Sequence, residues 1–193
     1  MKLDIKLSGV GGQGILSIAT VIGQAALTEG LYLKQAEVHG MSQRGGDVQS
    51  DLRLSTEPIY SDLIARGGVD LLISMEPMEA LRYSNWLTPD GVIITSSKPL
   101  VNIPNYPDQA SLLAELDALP KVIRVDIEQM ALEAEVPKSA NMILLGLAAP
   151  HFPLLSADDL RDAIRSIFAR KGEAIIEANL RAFNIGLHYS TNK

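Results

Sequence analysis

The sequence LDIKLSGVGGQGILSIATVIGQAALTEG, residues 3–30, carries the clearest fold signal in the chain. Its first six residues alternate between apolar and polar and predict a β-strand from Leu3 to Ser8. After a glycine-rich turn, apolar residues recur every three or four positions and predict a helix from Ile15 to Glu29, which ends at Gly30. A second strand is predicted from Leu31 to Val38. A strand, turn, helix and strand of this combined length has the size of a βαβ unit and indicates an α/β protein.

The remaining segments continue this alternation of strands and helices. Further strands are predicted at Asp47–Ser55, Val69–Ser74, Val92–Thr95 and Lys121–Val125, and further helices begin near Glu76, Asp108, Asp126, Ser139, Ser156 and Gly172. In the strand Asp47–Ser55, mostly apolar positions alternate with polar ones, so this strand is predicted to be half exposed. The apolar helix after Ser139 is predicted to be buried on most sides. The pattern predicts an α/β fold with a mostly parallel sheet and helices on both faces.

The composition favours a single globular domain, residues 1–193. The net charge of −6 and an aromatic content of 5% argue against a nucleic-acid-binding surface. The chain contains no cysteine, which excludes disulfides, thiolate metal sites and a cysteine-ligated iron–sulfur cluster. The N-terminus lacks the apolar run of a signal peptide, and no stretch has the ~20 apolar residues of a membrane span. A cytoplasmic protein without membrane contact is therefore expected.

The turn between the first strand and the first helix is the first candidate binding loop. It comprises Gly9, Gly11, Gly12, Gln13 and Gly14. Three of its glycines match the G-x-G-x-x-G pattern, in which free amides and a helix terminus can face an anion. Glu37, at the end of the second strand, lies where a ribose-binding acid would be. These residues leave two alternatives open: a self-contained NAD(P)-dependent Rossmann dehydrogenase, or glycines that only permit close packing of helix and strand.

A second glycine-rich stretch, Val38 to Asp47, connects the second and third strands. Its candidate residues are His39, Met41, Ser42, Gln43, Arg44, Gly45 and Gly46. Arg44 is a permanent planar cation that can hold a carboxylate or phosphate through two parallel hydrogen bonds, and His39 could orient or protonate such an anion. A parallel sheet would place this loop and the first one at the same edge. The alternative is a surface loop that simply links two strands.

Glu76 is the remaining candidate. Because it follows a buried-type strand, it is expected at the carboxyl edge of the sheet, where ligands bind in such folds. A charge that only stabilises a helix N-terminus is the alternative explanation. The sequence shows few other residues that suggest catalysis, since it contains no recognisable Ser–His–Asp arrangement and no acidic residues at metal-ligand spacing. No residue is therefore assigned a catalytic role.

Three stretches together resemble one family. They are Gly9–Gly14 (GVGGQG), Gly40–Gly46 (GMSQRGG) and Asp70–Ala80 (DLLISMEPMEA). The combination resembles the gamma-type domain of 2-oxoacid:ferredoxin oxidoreductases, and the resemblance covers essentially the whole chain. It implies a three-layer, Rossmann-like fold similar to domain III of pyruvate:ferredoxin oxidoreductase. In this family the gamma-type domain is not an NAD-binding module.

Within the family, the length and the absence of cysteine are most similar to the small subunit of two-subunit enzymes that act on indolepyruvate. The resemblance implies a subunit with no cofactor of its own, inactive alone, whose large partner holds thiamine diphosphate and the iron–sulfur clusters. Such an enzyme decarboxylates an aryl-2-oxoacid, reduces ferredoxin and releases an aryl-acetyl-CoA. The two glycine loops would dock near the thiamine site, and Arg44, with Gln43 and Ser42, would stabilise a substrate carboxylate or a phosphate of coenzyme A.

Two other functions stay open beside this one. The first is the NAD(P)-dependent dehydrogenase described above. The second is a non-catalytic interaction module whose loops bind only another protein. Expressed alone, the chain can also form a homodimer, because exposed apolar patches tend to find partners.

Overall fold

The structure of this protein is a computed structural model that describes residues 1–40 and 45–192. Within these residues the chain forms one mixed sheet and seven α-helices. The strands are β1 (Lys2–Val10), β2 (Tyr32–His39), β3 (Asp47–Ser55), β4 (Val69–Ser74), β5 (Leu87–Ser96) and β6 (Val122–Val125). The helices are α1 (Ile15–Thr28), α2 (Pro77–Tyr83), α3 (Gln109–Asp117), α4 (Ile127–Glu133), α5 (Ala140–Ala148), α6 (Ala157–Phe168) and α7 (Glu173–Thr191).

The sheet has the strand order β2-β3-β1-β4-β5-β6. Strands β1, β4, β5 and β6 pair in parallel, while β3 is antiparallel to both of its neighbours, β1 and β2. Every strand except β3 therefore runs in the same direction. This confirms the predicted α/β fold with a mostly parallel sheet.

The first and second strands, β1 and β2, are not neighbours in the sheet. The chain turns back after β2, and β3 inserts between β2 and β1, so that Leu7 lies opposite Ser50 and Gln35 lies opposite Leu52. The local pattern of residues 3–38 predicted the elements but not this insertion, which depends on pairing between distant segments. Strand β5 likewise begins at Leu87, before the predicted start at Val92.

Helices cover both faces of the sheet, as predicted. The larger core lies between one face and α1, α4, α5, α6 and α7, and the smaller core lies between the other face and α2 and α3. Alternate side chains of a strand divide between the two cores: Ile73 joins the larger and Leu72 the smaller. In α5 only Asn141 is not buried, which confirms the prediction for this apolar helix.

The prediction that β3 is half exposed is wrong, because its polar face is buried against other polar groups. The Nζ atom of Lys6 in β1 lies 2.5 Å from Oδ1 of Asp51, and both residues are buried. The same ammonium group lies 4.3 Å from the centroid of the Trp86 ring. The second carboxylate oxygen of Asp51 accepts a hydrogen bond from the backbone N–H of Ile64. A charged pair with these additional partners can be buried where a lone charge could not.

Candidate functional site

The structure brings the ends of the two glycine-rich loops together at the carboxyl edge of the sheet. The backbone N–H of Gly11 donates to the carbonyl of Gly46 at 2.9 Å, and the N–H of Gly45 donates to the carbonyl of Gly11 at 3.3 Å. The loops meet there because β3 runs antiparallel to β1, which places its first residues beside the last residues of β1. Met41, Ser42, Gln43 and Arg44 lie outside the described residues, so their assignment to the site stays a prediction.

The first glycine loop has a backbone that requires glycine at two positions. Gly12 has a φ of 104° and Gly14 a φ of 80°, both in the region that side chains with a Cβ rarely adopt. A Cβ on Gly14 would also lie 2.8 Å from Nδ2 of Asn141 in α5, and this amide donates to the carbonyl of Gly14 at 3.1 Å. Gly14 and Asn141 are far apart in the sequence, so no local sequence pattern predicts their contact.

Gln13 connects the first loop by hydrogen bonds to the end of β1 and to the residue that follows β4. Its Oε1 accepts a hydrogen bond from the N–H of Val10 at 2.8 Å, and its Nε2 donates to the carbonyl of Met75 at 3.2 Å. A Cβ on Gly9 would lie 3.0 Å from the same Oε1 and 3.1 Å from Cβ of Met75. Both polar atoms of the Gln13 amide are thus engaged within the chain, and the close contacts explain the glycine at position 9.

A pocket of about 400 Å³ opens beside the first loop. Its lining consists of Val10, Gly11, Gly12, Gly14, Ile15, Leu16, Glu37, His39 and Val48. Nε2 of the exposed His39 lies 3.8 Å from Oε1 of Glu37, so the end of strand β2 presents one imidazole and one carboxylate to this pocket. The structure therefore brings His39 and the glycines of the first loop to one cavity.

The sheet order departs from that of a dinucleotide-binding unit at the strand that would carry the ribose-binding acid. In such units this strand lies next to the first strand. Here β3 occupies that position, and Glu37 lies one strand farther from the glycine loop, a shift of roughly 4.8 Å. The geometry thus argues against the NAD(P)-dependent dehydrogenase.

Glu76 follows β4 at the same edge and is fully buried. Its Oε2 accepts a hydrogen bond from the N–H of Glu79 and caps α2. Its Oε1 accepts hydrogen bonds from the N–H of Leu100, at 3.3 Å, and from the hydroxyl of Tyr106. The carboxylate therefore joins the end of β4 to the segment that follows β5. It lies at the edge of the sheet, as predicted, and both of its carboxylate oxygens accept hydrogen bonds from other residues of the chain.

Glu79 is a buried acid at this edge that the sequence did not single out. Its carboxylate lies 2.8 Å from Nε of Arg82, and Asp47 lies beside it. Burial raises the pKa of Glu79 to about 7; the hydrogen bond from Arg82 opposes the rise and the negative charge of Asp47 adds to it. Asp47 also accepts a hydrogen bond from the hydroxyl of Tyr83 at 2.7 Å. Glu79 belongs to the stretch Asp70–Ala80 that carries the family resemblance, but its burial, which sets it apart from an ordinary surface acid, has no local sequence signal.

A larger groove of about 900 Å³ starts at the other side of the first loop. It passes Asn141, Lys138 and Lys171, and Glu128 also lines it. Among the residues that the structure describes, no three histidine or acidic side chains come together as a metal site. In residues 1–40 and 45–192 no helix combines the length and the apolar character needed to cross a bilayer.

Comparisons with known proteins agree with the glycine-loop motifs. The sequence model of the family described as POR, pyruvate ferredoxin/flavodoxin oxidoreductase, matches residues 4–189. The indolepyruvate oxidoreductase subunit IorB of Thermococcus kodakarensis is 37% identical over 96% of this chain and 95% of its own length. The protein of the same name from Pyrococcus horikoshii is 34% identical over the same shares of the two chains.

A solved structure shares the fold. The 2-oxoglutarate:ferredoxin oxidoreductase of Magnetococcus marinus, solved with 2-oxoglutarate, coenzyme A and succinyl-CoA bound, superimposes with a TM-score of 0.77 at 22% identity. The match covers 100% of this chain and 31% of that one. From the family match and the relatives with more than 30% identity, we conclude that this chain belongs to the pyruvate ferredoxin/flavodoxin oxidoreductase family.

Proposed function

We propose that this chain is the small subunit of a two-subunit indolepyruvate:ferredoxin oxidoreductase. The enzyme would convert an aryl-2-oxoacid and coenzyme A into an aryl-acetyl-CoA and CO₂, with the two electrons passing to two ferredoxins. The observation that carries this proposal is the end-to-end similarity to IorB subunits, which leaves only about a twentieth of either chain unmatched. A cytoplasmic location is part of the same proposal.

The large partner subunit would hold thiamine diphosphate and the iron–sulfur clusters. Thiamine diphosphate would supply the decarboxylation chemistry, and the clusters would carry the electrons. This chain has no cysteine to ligate a cluster, which is consistent with their location in the partner. We also infer that residues 1–193 form one gamma-type domain, since the larger of the two cores draws side chains from Leu3 to Phe183.

The contribution of this chain would be an anion-binding and docking edge. The first loop and the described ends of the second loop are joined by backbone hydrogen bonds between Gly11 and residues 45 and 46. Arg44 immediately precedes Gly45 in the sequence, and with Gln43 and Ser42 it would bind a carboxylate of the oxoacid or a phosphate of coenzyme A. A well-formed hydrogen bond to a charged group of this kind contributes about 1.5–3 kcal/mol.

Co-purification tests the proposal directly. A tag on this chain should recover a large brown partner from the native cell, and the eluate should catalyse CoA-dependent, dye-linked oxidation of indolepyruvate. The separated small subunit should be inactive. A single colourless species that binds NADH would contradict the proposal and support the dehydrogenase instead.

Two variants of Arg44 separate a role in the reaction from a role in docking alone. In the reconstituted enzyme, Arg44→Lys should lower turnover about 10-fold or more, because Lys cannot form the two parallel hydrogen bonds. The circular dichroism spectrum of the small subunit should not change. Full activity of Arg44→Lys would refute the proposed role. If Arg44→Ala weakens binding of the partner but leaves the rate at saturating small subunit unchanged, the chain is a non-catalytic interaction module.

A further inference from the structure

Strand β2 forms one of the two edges of the sheet. Its eight residues pair with β3 without a register shift, and within the described residues no strand pairs with its other side. In an antiparallel ladder, alternate residues direct their N–H and C=O groups to opposite sides of the strand, so about half of the backbone polar groups of β2 point away from the sheet. An edge of this kind can pair with a strand of another molecule.

The β2 edge lacks the features by which proteins commonly prevent such pairing. Those features include a proline, a β-bulge, a charged side chain or a very short strand. The opposite edge strand, β6, has only four residues. In contrast, β2 contains no proline, and the Nζ atom of its one lysine, Lys34, lies 3.2 Å from Oδ1 of Asp62, which offsets the charge. The β2 edge is therefore the one that is open to pairing.

Exposed apolar side chains lie along the same edge. Tyr32 and Val38, near the two ends of β2, are 49% and 56% exposed. Both lie on one face of the strand, because side chains of a strand alternate and these residues are separated by an even number of positions. Leu63 is exposed beside this face, where its carbonyl accepts a hydrogen bond from Arg53 of β3. These residues offer apolar surface that a second protein chain could bury.

The charges of β2 restrict how two copies of this strand can pair. A two-fold axis perpendicular to the sheet pairs them antiparallel and keeps their faces aligned, so residues of the same face lie opposite each other. A register centred on Lys34 would place two lysines directly opposite, and one centred on Glu37 would place two glutamates opposite. Like charges in these positions are destabilising. The registers centred on the two residues between them, Gln35 and Ala36, avoid this repulsion.

The register centred on Gln35 also pairs the exposed apolar residues. It places Tyr32 of each copy opposite Val38 of the other, and pairs of an aromatic and a β-branched residue stabilise antiparallel sheets. The register centred on Ala36 places Val38 opposite Lys34 instead and leaves Tyr32 beyond the end of the paired strand. Because a two-fold axis forms each pair twice, the sequence of β2 fits a second copy of itself.

We propose that two copies of this chain associate through their β2 strands, antiparallel and centred on Gln35, so that their sheets become continuous. In this arrangement Leu31 of the second copy lies opposite His39, which lines the pocket beside the first loop. The second copy thus adds a wall to that pocket. The inference goes beyond the proposed function and does not depend on it, because association through β2 requires neither substrate nor catalysis.

Cysteine substitution tests the register, because the chain has no cysteine of its own. At the two-fold axis, the Cα atoms of the two copies of Gln35 would be about 4.5–5.5 Å apart, a separation that suits a disulfide. Gln35→Cys in the full-length chain should therefore form a dimer on mild oxidation that dithiothreitol reverses. Glu37→Cys is the matched control, since it lies on the same face of the same strand but its two copies would be roughly 14 Å apart. Failure of Gln35→Cys to cross-link, or equal cross-linking of Glu37→Cys, would overturn the proposal.

Size-exclusion chromatography with light scattering tests the association itself. The wild-type chain should have twice the mass of one copy. Val38→Lys should raise the dissociation constant of the dimer about tenfold or more, because it removes two pairs with Tyr32 and adds a second cation to the face that carries Lys34. Leu132→Lys, at an exposed apolar residue of α4, is the control and should leave the mass unchanged. Circular dichroism should show that both variants fold.

Two results of these measurements would overturn the proposal. The first is a wild-type chain that is monomeric, or a dimer that Val38→Lys leaves as stable as the wild type. The second is exchange of the β2 amides that slows only when the large subunit is added, because the edge would then pair with that subunit and not with a second copy.

Discussion

Helices α5 and α7 pack so closely that their contact depends on two glycines. A Cβ on Gly146 of α5 would lie 2.0 Å from the carbonyl oxygen of Phe183 and 2.8 Å from the backbone nitrogen of Leu187. The arrangement is reciprocal, since a Cβ on Gly186 of α7 would lie 2.0 Å from the carbonyl oxygen of Ile143. These are backbone atoms, which cannot rotate away. We therefore predict that Gly146→Ala destabilises the protein.

The size of the effect follows from how far the helices must separate. Contacts between a carbon and a carbonyl oxygen lie at about 3.3–3.6 Å, so the two backbones must move apart by roughly 1 Å or more. A gap of about 0.5–1 Å already loses a quarter to a half of the dispersion energy between facing atoms. Overpacking of a core costs about 1–3 kcal/mol, occasionally more, and an alanine in a helix regains up to about 1 kcal/mol over glycine. With contacts this short the cost lies at the upper end of that range, so a net loss of about 2 kcal/mol is expected.

Urea denaturation followed by circular dichroism measures this change in the free energy of unfolding. Gly23→Ala is the matched control, because Gly23 also lies inside a helix, but its added Cβ would meet only Cδ2 of Leu33, at 3.4 Å. This control should be neutral or more stable by up to about 1 kcal/mol. If Gly146→Ala were as stable as the wild type, or if Gly23→Ala were equally destabilised, close backbone packing would not be what requires glycine at position 146.

Three further predictions concern stability. Lys6→Met leaves the buried Asp51 carboxylate without its cation and should cost about 3–5 kcal/mol in urea denaturation at pH 7, whereas Lys2→Met, at an exposed lysine, should cost less than about 1 kcal/mol. Folding raises the pKa of Glu79 from 4.5 to about 7, so the folded state binds more protons between these values and stability should fall as pH rises through this range. In Glu79→Gln this contribution, at most about 1.4 kcal/mol per pH unit, should vanish from the pH profile of unfolding; an unchanged slope would contradict the assignment. Ser156→Ala removes the capping box of α6 and should lower the melting temperature by roughly 2–8 °C, an effect of about 1–2 kcal/mol; an unaltered melting curve would show that the cap adds nothing.

The sequence by itself determined the local elements and the family. Strand periodicity predicted Asp47–Ser55 with the bounds that the structure has. Helix starts were predicted near Asp126 and Ser156, and these two residues are the N-caps of α4 and α6. The loop sequences Gly9–Gly14 and Gly40–Gly46 indicated the family. These features are readable because each depends on residues a few positions apart, where one helical turn or one strand pleat sets the spacing.

Only the tertiary structure decided which elements and side chains meet. The insertion of β3 beside β1, the burial of Lys6 against Asp51, and the hydrogen bond from Asn102 to Gly45 all join residues that are more than 35 positions apart. Glu76 also has partners outside its local stretch, since Leu100 and Tyr106, which follow β5, both donate hydrogen bonds to its carboxylate. Local periodicity carries no information about such partners, because they are selected by the combined free energy of burial and pairing over the whole sheet.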